Sequence, residues 1–97
     1  MLTLNDTALL RQACYVDGRW EDGTGDAIVV TNPATGAVVG QVPKLGRERT
    51  QAAIAAASAA LSDWAATPAK ERAGVIRRWY DLIVANADDL ARILTAE

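Results

Sequence analysis

The sequence predicts an α/β chain in two blocks: β-hairpin and strand units over residues 13–43, then helices over residues 47–97. Three observations carry this reading. Short β-branched or aromatic runs alternate with turn pairs up to Pro43, as in Tyr15-Val16 before Asp17-Gly18 and Ile28-Val29-Val30 before Asn32-Pro33. Beyond Gly46 the apolar residues recur every three or four positions instead. Thr67-Pro68 and Asn86 then punctuate the helical block into three pieces.

Each element follows from local chemistry. Residues 6–12 suit one or two helical turns, with Leu9 and Leu10 as the apolar contact. Cys14 to Trp20 reads as a hairpin, because Asp17 and Gly18 both tolerate the positive φ of a two-residue turn. Glu21 to Gly25 is a polar connection. Ile28-Val29-Val30 is a strand that ends at Asn32-Pro33, since proline lacks a ladder donor and asparagine favours turns. Gly36 then leads into Val38-Val39-Gly40-Gln41-Val42, closed by Pro43.

In the helical block, Arg47 to Ala66 is alanine-rich, with Ile54, Ser58, Leu61 and Trp64 or Ala65 at helical spacing. Thr67 is a suitable N-cap and Pro68 a suitable first residue for the next helix. Its stripe is Val75, Ile76, Trp79, Leu82 and Ile83. Asn86 opens a third helix, with Asp88 and Asp89 at the positive end of its dipole and Leu90, Ile93 and Leu94 as its apolar face. No glycine, proline or basic turn follows Leu94-Thr95-Ala96-Glu97, so the chain is expected to be truncated inside an element.

Composition bounds the function. At 97 residues the chain is one small domain or part of one, and half of its residues (51%) are apolar. Many of these are alanines, which bury little area, and there is no Phe, so Trp20, Trp64 and Trp79 carry much of the large apolar surface. A net charge of −2 argues against a nucleic-acid partner. The absence of His removes the commonest general base and metal ligand. A lone cysteine, Cys14, forms no intramolecular disulfide. No basic-then-apolar leader and no membrane-length apolar run is evident, which leads to the expectation of a cytoplasmic protein with no membrane partner.

The candidate sites each have a plainer structural explanation. Cys14 has no adjacent basic group to activate it and reads as a packing residue. Asp17-Gly18, Asn32-Pro33 and Gly36 are accounted for by turns. Asp88 and Asp89 are neighbours on a helix, do not face each other, and read as a solvated helix start. Trp64 and Trp79 lie on apolar stripes and read as core or interface residues. The glycines do not form a phosphate-binding loop.

Taken in order, these pieces resemble the opening of an NAD(P)-dependent aldehyde dehydrogenase. The likeness is carried by Tyr15-Val16-Asp17-Gly18-Arg19-Trp20, Val30-Thr31-Asn32-Pro33-Ala34 with Gly36, and Val42-Pro43-Lys44 with Gly46. It continues in Leu10-Arg11-Gln12-Ala13, Ala69-Lys70-Glu71-Arg72, Arg77-Arg78-Trp79 and Asp88-Asp89-Leu90-Ala91-Arg92. Within the family the pieces look most like bacterial succinate-semialdehyde dehydrogenases. The resemblance implies that residues 1–97 are an N-terminal fragment, the opening part of a cofactor-binding domain.

For the full-length family, the resemblance implies oxidation of an aldehyde, here succinate semialdehyde, to the acid with NAD or NADP. A cysteine thiolate attacks, hydride leaves to the cofactor, and a glutamate-activated water hydrolyses the thioester. It also implies a homo-oligomer acting on a small aldehyde. The resemblance transfers none of these roles to residues of this chain. No catalytic, cofactor-binding or metal residue is assigned, Cys14 does not match the nucleophile, and no cofactor is expected to bind the chain alone. In some relatives main-chain carbonyls near the Asn-Pro motif bind a monovalent cation. The expectation is a structural, inactive segment; the rival expectation is a short interaction module that docks on a full-length homologue. A small α+β binding domain unrelated to the enzyme leaves the ordered matches unexplained.

Overall fold

A computed structural model describes residues 2–23 and 25–97. Met1, and Thr24 within the expected Glu21–Gly25 connection, lie outside the described residues. Two antiparallel strand pairs precede three helices, the α/β arrangement expected. The elements are β1 (Cys14–Val16), β2 (Arg19–Glu21), β3 (Ala27–Thr31), β4 (Val38–Pro43), α1 (Gly46–Ala66), α2 (Ala69–Ala85) and α3 (Ala87–Ala96). A short 3₁₀ turn, Thr7–Leu9, stands where one or two helical turns were expected, with the Asp6 carboxylate accepting from the Ala8 N–H at 3.0 Å.

Each strand pair is built from its turn outward. Asp17 and Gly18 take φ of 51° and 75°, the positive values of a tight two-residue connection. That turn sets the register Val16↔Arg19 and Tyr15↔Trp20. The Tyr15 and Trp20 rings meet at 5.0 Å between centroids, and the Arg11 guanidinium lies 4.6 Å over the Trp20 ring. Such an aromatic pair adds about 0.5–1.5 kcal/mol beyond its buried area. In the second pair, Asn32 folds the connection around itself. Its Oδ1 accepts from the Ala34 N–H at 2.9 Å and its backbone carbonyl accepts from the Gly36 N–H at 2.8 Å, with Gly36 at φ 73°. The ladder then runs from Thr31↔Val38 to Ala27↔Pro43, with a register shift at Val30/Thr31.

Gly40 gives the Gln12 side chain room beside β4. A Cβ there would come within 2.9 Å of Gln12 Oε1, the same oxygen that accepts from the Gln41 N–H at 2.9 Å. The absent side chain therefore admits the N-terminal segment against β4.

The helices depart from expectation at their ends. Thr67 does not cap α2. Its hydroxyl donates back to the Asp63 carbonyl at 2.8 Å, so it closes α1, and Pro68 occupies the N-cap position of α2 with extended ψ. Asn86 likewise serves the helix behind it, its Nδ2 donating to the Leu82 carbonyl at 2.9 Å while making no side-chain cap to α3. In both cases the side chain bonds a carbonyl one turn earlier, an outlet these short polar residues always have in competition with capping.

Packing is sparse. No apolar residue among those described is buried, and the single buried residue is Asp89. The apolar stripe read on α2 is exposed throughout, with Trp79, taken from sequence as a core or interface residue, at 65%. On α1 the half-sheltered positions are Ala52, Ala53 and Ala56. At 3.6 residues per turn these lie opposite Ile54 and Leu61, which face solvent. The accessible surface is 7734 Å², whereas a compact chain of 10.3 kDa exposes about 5,400 Å². The radius of gyration, 16.5 Å, similarly exceeds the roughly 12.5 Å of a compact chain this long.

The Gln12 contact makes a local test. Gln12→Ala is expected to speed hydrogen exchange at the Gln41 amide roughly fivefold, the effect of one hydrogen bond worth about 1 kcal/mol, with α2 amides unchanged. Unaltered exchange at Gln41 would contradict the contact.

Candidate functional site

The most constrained position in the chain is Asp89, 3% exposed on the first turn of α3. The inward face of that helix consists of Asn86, Asp89, Ile93 and Ala96, spaced three and four apart. Asp89 is buried on this face, while Asp88, one position earlier, is exposed. The expectation that both carboxylates form a solvated helix start therefore holds for Asp88 alone. Sequence reading passes over Asp89 because an aspartate is not counted as an inward residue. The available signal was its place three residues after Asn86 and four before Ile93.

The Asp89 carboxylate is fully engaged. Its Oδ1 accepts from the Asn5 N–H at 3.0 Å and from Arg92 Nη1 at 2.9 Å, and its Oδ2 accepts from the Asp6 N–H at 2.8 Å. It thereby ties the N-terminal segment to a helix more than eighty residues later in sequence. The Asn5 and Asp6 amides hold the carboxyl below its ordinary value of 3.8, desolvation opposes them, and the Arg92 hydrogen bond and charge add to the lowering. The group is a clasp. Both of its oxygens are engaged, by two amides and a guanidinium, which fits a structural role.

Beside the clasp lies an open groove of about 810 Å³ between the N-terminal segment, the β3–β4 connection and α3. Leu2, Leu10, Val38 and Val39 make it mainly apolar, and Thr3, Asn32, Thr35, Arg92 and Thr95 supply its polar groups. Asn32 Oδ1 is engaged in its own turn and Arg92 Nη1 on Asp89.

Of the residues weighed from sequence, Asn32 lines this groove, and the others lie elsewhere. The Cys14 thiol donates to the Pro43 carbonyl at 3.7 Å, tying β1 to β4, and has no base or cation as its partner. Asp17 and Gly18 form the β1–β2 turn at positive φ. Trp64 and Trp79 sit on exposed helix faces. Glu21 of β2 pairs with Arg49 of α1 through both carboxylate oxygens, a second polar tie between strands and helices. Among the described residues no group of three or more His, Cys, Asp or Glu side chains is placed to hold a metal ion. No helix among them is long and apolar enough to cross a membrane.

Comparison with known proteins gives this geometry its context. Residues 20–97 match the profile described as the aldehyde dehydrogenase family. The glutarate-semialdehyde dehydrogenase of Pseudomonas aeruginosa is 53% identical over 97 residues, covering 99% of this chain and 20% of that protein. The NADP(+) succinate-semialdehyde dehydrogenase of Escherichia coli is 50% identical over the same length, again 20% of that protein. The crystal structure of an aldehyde dehydrogenase from Brucella melitensis biovar abortus superposes with a TM-score of 0.95 at 55% identity, over 99% of this chain and 20% of that one. The chain thus spans about a fifth of the length of the relatives it matches.

The clasp has a pH signature. Because the folded-state value of Asp89 lies below the unfolded one, its contribution is complete above the ordinary carboxylate value of 3.8 and disappears as pH falls through the lower folded value. The Asn5 amide resonance is expected to titrate with a midpoint below 3.8 and to lose that transition in Asp89→Asn. A midpoint at or above 3.8 would contradict the clasp.

Proposed function

This chain belongs to the aldehyde dehydrogenase family, and from that premise we propose that it forms the N-terminal, structural portion of an NAD(P)-dependent enzyme oxidising a short semialdehyde to the carboxylic acid. The observation carrying this is the unbroken match over residues 20–97 to the family profile, together with relatives at 50% identity or more across the whole chain. Both of those relatives are named for semialdehydes whose far end is a carboxylate, glutarate and succinate semialdehyde. That shared feature supports a semialdehyde bearing a distal carboxylate as the substrate class, with succinate semialdehyde as the first choice. The enzyme so formed is a cytoplasmic homo-oligomer with no nucleic-acid or membrane partner.

The contribution of residues 1–97 is to the frame and not to the reaction. Supporting this, the one thiol is bonded to a carbonyl, the one buried carboxylate among the described residues is engaged at both oxygens, and the chain has no His. Covalent aldehyde oxidation needs a nucleophile, a proton acceptor and an oxyanion stabiliser within reach of one carbon. The cofactor site and those groups therefore belong to the remainder of the enzyme, and the chain alone is inactive.

The test is a graft. This chain replaces the matching fifth of the Pseudomonas aeruginosa enzyme, and NAD(P)H formation is followed with glutarate and succinate semialdehydes. The graft is expected to oxidise both at rates comparable to the parent, and the 97-residue chain alone neither. Protein-dependent NAD(P)H formation by the chain alone, or a folded but inactive graft, would contradict the proposal.

A further inference from the structure

We draw no further inference here: the strongest candidate, the open and mainly apolar groove between the N-terminal segment, the β3–β4 connection and α3, carries nothing because nothing in the structure shows what covers it.

Discussion

One buried carboxylate holds the two ends of this chain together. Asp89 receives the Asn5 and Asp6 amides and the Arg92 guanidinium, and it is the only residue among those described that water does not reach. Around it the tertiary ties are polar and few. Gln12 joins the N-terminal segment to β4, Glu21 joins β2 to α1 through Arg49, and the Cys14 thiol reaches the Pro43 carbonyl. In ordinary domains such bonds refine a fold that apolar burial has already stabilised. Here they connect elements whose apolar faces remain open.

That arrangement explains why the local structure is well formed although no apolar residue among those described is buried. Each strand pair is specified by its own turn, through the positive φ of Asp17 and Gly18 in one and the Asn32–Gly36 connection in the other. A lone two-stranded hairpin is marginal in water without a third strand or a helix packed upon it. The helices are in the same position, since most helical stability in proteins comes from packing an apolar face. Sequence and local geometry supply a complete set of parts, and the energy that would join them lies in surface not yet covered.

The sequence made much of this legible, and its misses share a cause. Turns and strands were readable because Asp-Gly and Asn-Pro act over two or three residues. The helical block was readable because a 3.6-residue period needs no partner to be seen. Cap assignments failed at Thr67 and Asn86, where the side chain chose the carbonyl behind it over the amides ahead. Burial is not legible from a stripe alone. The stripe of α2 forms as read, but a stripe states only what a helix would bury, not that its cover is present. Asp89 was misplaced because its inward position is dictated by two amides from the far end of the chain, a long-range fact that no local period records. The family resemblance was legible in ordered short motifs, each acting over a few residues.

The most direct measurement is equilibrium urea unfolding of the purified chain, followed together by far-ultraviolet circular dichroism and tryptophan fluorescence. A fold joined by a few polar clasps without an apolar core should lose its signals over a broad range, with the two probes departing from each other. Coincident, steep transitions would show a single cooperative unit, and would contradict the claim that these elements depend on surface supplied from outside the chain.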